Sequence, residues 1–306
     1  MTQEENTIDD VDNQPQAEVL VIGEALIDIV ETEDGVSEHV GGSPANVALG
    51  LGRRATHVEL LTQLGDDDRG RRIAQHLEAS GVRLRPESAG APRTSTARAR
   101  IAADGQAEYE FDVSWNPSRP ENVSAVVVHV GSVAAFLEPG ATVVRDIITM
   151  SGAREVTFDP NIRTALIGSH EHALASFEAT AKLATVVKMS DEDAAWLYPG
   201  ASPDEVLDTV LQLGPGLAAI TLGAQGAILV NTENRVWVPA VPVVAVDTIG
   251  AGDTFMSSLV RAVLDGGSMD VDRRTLERIG RDAVAAAAIT VSRPGADLPW
   301  AEELAS

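Results

Sequence analysis

The amino-acid sequence predicts an α/β protein built on a mostly parallel sheet. Short runs rich in β-branched residues alternate with segments of helical periodicity along most of the chain, which is typical of βαβ units. No long Pro-, Gly- or Ser-rich linker and no internal repeat interrupts residues 17–300. The chain has 306 residues, of which 44% are hydrophobic, so we expect one large domain over residues 17–306 with a sizeable core.

Six apolar runs are the predicted strands of this sheet, and they lie at 18–23, 57–65, 125–131, 155–160, 185–190 and 217–223. The clearest helices between them are predicted at 43–55 and 68–80, where apolar residues recur at helical spacing. Parallel strands need crossover connections of this length. The alternation therefore predicts a sheet whose strands are mostly parallel.

Two segments break this alternation and predict β-hairpins. Residues 27–42 alternate around Asp34-Gly35, and residues 96–113 alternate around Asp104-Gly105. Asp-Gly between alternating strands favours a tight hairpin turn. The hairpins either extend the edges of the central sheet or pair into a small separate sheet that covers a cleft as a lid.

The composition is strongly acidic, with 23 Lys and Arg against 46 Asp and Glu and a net charge of −23. Such a charge repels phosphates, so neither a nucleic acid nor an anionic membrane is expected as a partner. The absence of cysteine excludes disulfides and thiolate chemistry. Residues 1–16 are acidic and lack the basic and apolar parts of a signal peptide. We expect a disordered acidic tail and a cytoplasmic protein.

The segment VDTIGAGDTFMS (246–257) predicts an anion-binding turn. A β-branched run at 241–246, predicted as a strand, leads into Gly250, Ala251 and Gly252, and Asp253 then opens an apolar helix. The N–H groups and dipole of such a helix start bind anions, and small residues let a phosphate approach the backbone. The alternative is that Asp253 only caps the helix, and the local sequence alone favours this cap.

A second glycine-rich helix start lies in VGGSPANVALGLG (40–52). Gly41 and Gly42 permit close approach of a ligand to the backbone, Ser43 is expected to cap the helix, and Pro44 suits its first turn. Asn46 then lies beside the helix start, where its amide is able to donate to and accept from a polyol. An ordinary capped helix accounts for Ser43 and Pro44 but not for two glycines.

Two further polar positions follow strands. Asp28, in GEALIDIV, is either a turn residue or an acceptor for substrate hydroxyls, and by itself the turn is favoured. Arg163, in FDPNIR, suits a phosphate or a carboxylate, with a structural ion pair as the alternative. ITLGAQGAILV (220–230) predicts a strand, a glycine turn and a second strand.

Several nucleotide-binding motifs are missing from the sequence. The chain lacks the P-loop GxxxxGK[ST] and the HRD and DFG elements of protein kinases. GAGDTF lacks the third glycine of GxGxxG and lies late in the chain, which counts against a dinucleotide-binding dehydrogenase.

Taken together, the motifs resemble those of the PfkB, or ribokinase-like, family of carbohydrate kinases. GGSPANVALGLGRRA with QLGDDDRG is similar to the N-terminal signature of that family, and DTIGAGDTF is similar to its C-terminal signature, DTxGAGD. Their order, with DPNxR, K-x-S, TLGxxG and SRPGA, extends the resemblance over nearly the whole chain after the tail. GEALID, FDPNIR and VVKMSDEDAAWL most resemble fructokinases.

The resemblance implies a three-layer α/β/α ribokinase-like core with a small β-sheet lid made by the two hairpins. It implies ATP-dependent phosphorylation of a primary hydroxyl of a sugar, with fructose as the first choice. ATP and Mg²⁺ are the implied cofactors, and K⁺ is a further candidate ion. By analogy, pairing of two exposed lids suggests a homodimer.

Residue roles also follow from the resemblance. Asp253 is implied as the base, and an ordinary carboxyl pKa of about 3.9 would keep it ionised. The anion hole is implied at the N–H groups of Gly250, Ala251, Gly252 and Asp253. Arg163 is implied near the transferred phosphate. The sugar is implied to bind at Asp28, Gly41, Gly42 and Asn46. The nucleotide side is implied at Ser190, Asp193, Thr221, Gly223 and Gly226. Asp247, with the SRPGA segment, corresponds to a monovalent-cation region.

One departure and two rival functions leave the interpretation open. Where many family members have N-x-x-E, this chain has Ser190-Asp-Glu-Asp193, a form close to the SDEE of fructokinase-like members, so the magnesium contacts stay open. One rival is a related sugar kinase such as a 2-keto-3-deoxygluconate kinase, for which Arg98 or Arg100 on the second hairpin would meet a substrate carboxylate, with exposure to solvent as the alternative for either arginine. The other is a catalytically silent sugar-binding regulatory protein.

Overall fold

The computed structural model of the chain describes residues 17–33, 35–101 and 107–304. The predicted tail at 1–16, Asp34 and the Asp104-Gly105 pair lie outside the described residues. Within those ranges, no helix combines the length and the apolar character needed to cross a membrane.

The central sheet contains nine strands among the described residues: β1 (Ala17–Ile22), β4 (Val58–Leu61), β6 (Val82–Leu84), β10 (Ala125–Gly131), β11 (Glu155–Asp159), β12 (Val186–Ser190), β13 (Leu217–Thr221), β14 (Ala227–Asn231) and β15 (Arg235–Val238). Their order is β15-β14-β13-β12-β11-β10-β1-β4-β6. The pairs from β6 to β13 are parallel, and β14 and β15 add an antiparallel edge. The prediction of a mostly parallel sheet is confirmed.

Helices cover both faces of the sheet. They are α1 (Ser43–Gly52), α2 (Asp68–Glu78), α3 (Gly140–Ser151), α4 (His170–Ala181), α5 (Asp191–Leu197), α6 (Pro203–Leu213), α7 (Ala251–Gly266), α8 (Arg273–Val291) and α9 (Ala301–Leu304). Side chains alternate across a strand, so Val19 and Val21 join one core with α1, α2, α7 and α8. Leu20 and Ile22 join the other core with α3 to α6. The result is a three-layer α/β/α arrangement.

The two hairpins form a separate four-stranded sheet, which we call the lid sheet. Its strands are β2 (Leu26–Thr32), β3 (Gly35–Gly41), β8 (Thr96–Ile101) and β9 (Ala107–Asp112), in the order β3-β2-β8-β9. Each hairpin is antiparallel, and β2 joins β8 in parallel. The interpretation of the hairpins as edges of the central sheet is therefore wrong.

Two predicted strands differ from the structure. The segment 57–65 is divided into β4 and the short β5 (Leu64–Gly65), which pairs with β7 (Ala89–Ala91) instead of the central sheet. The strand predicted at 241–246 is wrong, because this segment has no strand structure and Val244 is 84% exposed. Pro239 and Pro242 have no N–H group to donate to a neighbouring strand.

The topology brings polar residues together at one edge of the sheet. Parallel strands β10 to β13 end at Gly131, Asp159, Ser190 and Thr221, with Gly131 beside Asp159 and Ser190 beside Thr221. In open α/β sheets, ligands bind at the carboxyl ends of such strands. Helices α1 and α7 pack against each other and begin at this same edge.

Candidate active site

Asp253 is held by two side chains from the other end of the sequence. Its carboxylate accepts hydrogen bonds from Ser43 Oγ at 2.7 Å and from Asn46 Nδ2 at 2.8 Å. The residue before helix α7 is Gly250, with a φ of 79°, and no side chain caps the helix. The cap alternative for Asp253 is therefore wrong, because its side chain bonds to α1 and not to its own helix.

Burial changes the ionisation of Asp253. The carboxyl group is only 8% exposed, and this loss of hydration raises its pKa, while the bonds from Ser43 and Asn46 and the charge of Lys188 act to lower it. The expectation of an ordinary pKa is wrong, because the sequence does not show the burial. A base with a raised pKa accepts a proton more readily near neutral pH.

A cavity of about 470 Å³ lies in front of Asp253, between the lid sheet and the strand ends. Predicted site residues that line it are Asp28, Gly42, Asn46, Arg163, Gly250, Gly252 and Asp253. The lid sheet contributes Ala97 and Phe111 to its wall. A cavity of this size, with a few convergent polar groups, is typical of a small-molecule site.

Asp28 projects into this cavity from the middle of strand β2. It lies opposite His39 on β3 and Ala97 on β8, so the alternative of a turn residue is wrong. A Cβ atom at Gly41 would lie 1.9 Å from Asp28 Oδ2, which explains a glycine at that position. Burial raises the pKa of Asp28, and the charges of Arg163 and His39 act against this increase.

Gly42 joins the lid sheet to helix α1. Its φ is 107°, and a Cβ atom there would lie 2.5 Å from the carbonyl oxygen of Glu24. Gly42 is the residue that precedes the helix, and no side-chain cap is present, so the predicted cap at Ser43 is wrong. The hydroxyl of Ser43 instead donates to Asp253.

Arg163 follows strand β11 and is exposed at the cavity wall. Its guanidinium donates to Asn161 Oδ1 at 2.8 Å. Its charge acts on the carboxyl groups of Glu24, Asp28 and Asp253, where it opposes the increase in pKa that burial causes. An arginine that faces three carboxyl groups across a cavity is suited to an anionic ligand.

Arg98 does not reach the cavity in this arrangement. Its guanidinium donates to Glu31 Oε1 at 2.9 Å, on the neighbouring strand of the lid sheet, and Arg100 Nε donates to Glu31 Oε2 at 2.8 Å. Both cations therefore already have a carboxylate partner. The residue of β8 that lines the cavity is Ala97, the neighbour of Arg98.

Ser190 and Asp193 form the start of helix α5. Ser190 Oγ accepts from the N–H of Asp193 at 3.0 Å, and Asp193 Oδ2 accepts from the N–H of Ser190 at 3.1 Å. Asp193 Oδ1 also accepts from the N–H of Ile162 at 2.9 Å. The capping box and the bond from Ile162 together occupy both carboxylate oxygens of Asp193, whereas the exposed Glu192 lines the cavity.

Thr221, Gly223 and Gly226 lie on the next connection along the sheet edge. Thr221 ends β13, and Gly223 and Gly226, with φ of 53° and 98°, make the predicted glycine turn into β14. A Cβ atom at Gly226 would lie 2.0 Å from the carbonyl oxygen of Val238. These three residues are not among the described residues that line the cavity.

Asp247 closes the loop that leads into helix α7. Its carboxylate accepts from the N–H of Ile249 at 3.0 Å and from the N–H of Gly295 at 2.8 Å. These backbone bonds lower the pKa of Asp247. The carboxylate thus connects the DTIGAGD segment to the SRPGA segment.

The first turn of helix α7 exposes only part of the predicted anion hole. Ala251 donates its N–H to Thr248 O at 3.2 Å, so this amide has a partner within the chain. Gly250 and Gly252 line the cavity, and Ala251 does not. The first N–H groups of a helix have no acceptor within the helix, which leaves those of Gly252 and Asp253 suited to an anion.

Two buried residues of the cavity were not singled out from the sequence. Glu24 is 5% exposed, and burial raises its pKa to about 7. Its Oε2 has no hydrogen-bond partner among the described residues. Lys188 is 3% exposed and donates to Asp159 Oδ2 at 2.9 Å. GEALID and K-x-S contain these residues, but the motifs do not show that either side chain is buried.

Comparison with protein families identifies the family of this chain. The family model for the pfkB family carbohydrate kinase matches residues 16–303. The chain therefore belongs to the pfkB family of carbohydrate kinases. The predicted ribokinase-like fold is confirmed.

Fructokinases are among its relatives. Fructokinase-1 of Oryza sativa subsp. japonica is 34% identical over 303 residues, which cover 91% of this chain and 93% of the relative. The probable fructokinase-4 of Arabidopsis thaliana is 32% identical and covers 96% of this chain and 97% of the relative. A fructokinase double mutant from Vibrio cholerae O395, solved with fructose, ADP and a potassium ion, has a TM-score of 0.79 and 25% identity, and it covers 92% of this chain and 95% of its own.

The conformation of Gly42 generates a first prediction. We expect Gly42→Ala to lower the unfolding free energy and to raise the KM for the sugar, because a Cβ atom would displace Glu24 and the start of α1. Backbone strain of this kind costs about 1–3 kcal/mol. Gly35→Ala is the matched control, because Gly35 also has a positive φ, 140°, but its Cβ would meet nothing within 4 Å. Equal effects of both variants on KM would contradict the prediction.

The ionisation of Glu24 generates a second prediction. Because its pKa is raised to about 7 from an ordinary value of 4.5, the folded protein binds more protons than the unfolded chain between those values. The unfolding free energy therefore decreases as the pH rises through this window. We expect Glu24→Gln to gain on the order of 2 kcal/mol over wild type between about pH 5 and pH 8, at about 1.4 kcal/mol per pKa unit.

Urea unfolding of wild type and Glu24→Gln at both pH values measures this difference. Glu78→Gln is the control, because Glu78 is exposed on α2. A gain that does not change with pH would show that Glu24 is ionised throughout.

Proposed function

We propose that the protein is an ATP-dependent fructokinase, which transfers the γ-phosphoryl group of ATP to a primary hydroxyl of fructose. The observation that carries the proposal is the buried Asp253 carboxylate, which faces a 470 Å³ cavity and is oriented by Ser43 and Asn46. Phosphoryl transfer depends mainly on positioning and on charge stabilisation. Both are features of this cavity.

Asp253 acts as the base for the attacking hydroxyl. The two hydrogen bonds from α1 fix the direction of its carboxylate, and its raised pKa makes it a better proton acceptor. The sugar oxygen forms a bond to phosphorus while the bridging P–O bond to ADP breaks. The hydroxyl proton moves to Asp253.

The start of helix α7 stabilises the charge on the transferred group. The N–H groups of Gly252 and Asp253 and the helix dipole favour negative charge at that position. Arg163, in the segment that follows β11, lines the same cavity. Ala251 joins this anion hole only if its bond to Thr248 is released.

The sugar-binding groups favour a neutral sugar. Asp28 and Asn46 line the cavity and offer hydrogen-bond acceptors and a donor to hydroxyl groups, and Gly41 and Gly42 keep the backbone close. Arg98 is bonded to Glu31, so the lid-sheet cation that a sugar acid would need is already paired. This observation favours fructose over 2-keto-3-deoxygluconate.

ATP binds on the side of α5 and the glycine turn after β13. Thr221 ends β13 beside Ser190 at the end of β12, and Gly223 and Gly226 follow it in the turn into β14, so these residues lie next to the cavity along the same sheet edge. When bound, Mg²⁺ neutralises charge on the ATP phosphates. Glu192 suits this ion, because it lines the cavity, whereas both carboxylate oxygens of Asp193 accept backbone N–H groups, from Ile162 and from Ser190.

No group of three or more potential metal ligands is found among the described residues. Mg²⁺ commonly uses one or two carboxylates together with substrate phosphates and water, so a dedicated cage is not required. For K⁺, Asp247 is the organising residue, since it joins the 247–249 turn to Gly295. A fructokinase from Vibrio cholerae O395 was solved with such an ion.

The lid sheet closes the cavity over the sugar. Ala97 and Phe111 already face the cavity, and closure would exclude water and so prevent hydrolysis of ATP. The rival function, a catalytically silent sugar-binding protein, has no supporting observation. Asp253 is bonded to Ser43, and α7 begins at the DTIGAGD motif.

We expect ADP release to be highest with fructose in a panel of sugars that includes 2-keto-3-deoxygluconate. Asp253→Asn should lower kcat by about 10²–10⁴-fold, because the hydroxyl loses its base. Asp265→Asn is the matched control, because Asp265 lies at the exposed end of the same helix and pairs with Arg261. Coupled ADP measurement with Mg²⁺, and with and without K⁺, records each rate.

Three outcomes would change the proposal. If no sugar raised ADP release in the wild type, the chain would bind sugar without turning it over. If 2-keto-3-deoxygluconate gave the highest kcat/KM, fructose would be the wrong substrate. Full turnover in Asp253→Asn would remove Asp253 as the base.

We also propose that two copies of the chain pair through their lid sheets. Val36 and Tyr109 are 61% and 65% exposed on this sheet, and β3 and β9 are its edge strands. We expect wild type to sediment as a dimer and Tyr109→Lys to sediment as a monomer. Trp237→Lys is the control, because Trp237 is 60% exposed on β15, outside the lid sheet. A wild-type monomer would contradict this proposal.

A further inference from the structure

Lysine is almost absent from this chain. Among its 23 cationic side chains, 21 are arginine, and the two lysines are Lys182 and Lys188. Lys182 is exposed at the end of α4, whereas Lys188 is 3% exposed at the floor of the cavity. The most buried cationic side chain of this arginine-rich chain is therefore a lysine.

The ammonium group of Lys188 lies directly below the first turn of α7. Its Nζ donates to Asp159 Oδ2 at 2.9 Å. It also lies 3.1 Å from the position that a Cβ atom would take at Gly252. Gly252 has no side chain to separate this ammonium from the cavity, which both residues line.

Three carboxylates act on this one cation, and Asp159 is bonded to it directly. Burial acts to lower the pKa of Lys188, but the charge and hydrogen bond of Asp159, with further contributions from Asp193 and Asp253, raise it overall. The side chain therefore stays an ammonium ion at neutral pH. Asp159 accepts one of its three N–H bonds.

Stability alone does not account for a buried lysine here. A buried ion pair can often be replaced by apolar residues of similar volume at no cost, and arginine would be the usual cation of this chain. Lysine differs from arginine in having a compact point charge. A compact charge suits the close space beneath Gly252, where Lys188 Nζ lies 3.1 Å from the position of a Cβ atom.

We propose that the Lys188 ammonium contacts the transferred phosphoryl group from below Gly252 and is a further catalytic residue of the reaction. This inference rests on the proposed kinase function. As the sugar oxygen bonds to phosphorus, the electron pair of the breaking P–O bond goes to ADP and the proton goes to Asp253. Lys188 keeps its protons, and its charge offsets the negative charge on the phosphoryl oxygens.

Two variants test the role of the charge and of its position. Asp159→Asn/Lys188→Met removes both charges of the buried pair at similar volume, which spares the fold an unpaired carboxylate. Lys188→Arg keeps the charge and a partner for Asp159 but changes the shape of the cation. Lys182→Met is the matched control, because it removes the exposed lysine.

We expect the double variant to lose about 10²–10³-fold in kcat, the usual loss for one charge-stabilising group. Lys188→Arg should lose at least about tenfold. The KM for fructose and the affinity for fructose without ATP, measured by calorimetry, should stay within about threefold of wild type, because the sugar groups are untouched. Lys182→Met should match wild type. Circular dichroism and thermal unfolding establish that each variant is folded.

The result that overturns the inference is a folded variant of either kind with kcat within about threefold of wild type. Equal loss of fructose affinity and of kcat would also overturn it, since that pattern indicates a distorted cavity. If both variants failed to fold, Lys188 would be assigned to stability and the inference would fail. A wild type without sugar-dependent ADP release is a different result, because it would contradict the proposed function itself.

Discussion

The two hydrogen bonds from Ser43 and Asn46 to Asp253 are the interactions on which the site depends. They join residues more than 200 positions apart and lie where α1 and α7 pack together. Because both bonds favour the carboxylate form, they offset part of the cost of burying its charge. The same two bonds also fix the direction of the carboxylate in the cavity.

The charge balance of the cavity is a second constraint. The chain as a whole carries −23, and Glu24, Asp28, Glu192 and Asp253 all line the cavity. An anionic nucleotide would be repelled by such a surface. The helix start at Gly252 and the cations at Arg163 and Lys188 supply a local positive field at the strand ends. This local positive charge makes the cavity suited to an anionic ligand although the chain as a whole is acidic.

Individual residues show where sequence reasoning succeeded and where it stopped. The DTIGAGD motif located the start of α7, because glycine and a helix pattern are local features of the chain. The assignment of Ser43 as a cap was wrong, since its hydroxyl is used by a residue far away in sequence. The prediction of a strand at 241–246 was also wrong, because β-branched residues favour strands but Pro242 within the segment and Pro239 just before it have no N–H to donate. Arg98 was placed correctly on the lid sheet, but its partner Glu31 lies on another hairpin.

The sequence by itself determined the α/β class, both hairpins, the order of the motifs and the resemblance to a family of sugar kinases. Each of these depends on periodicity or on short spacing, which are present in the linear chain. Only the tertiary structure decided which acids and cations are buried together. The raised pKa of Glu24 and the position of Lys188 below Gly252 depend on burial and on distances between strands. Those quantities arise when distant segments pack, so no local pattern contains them.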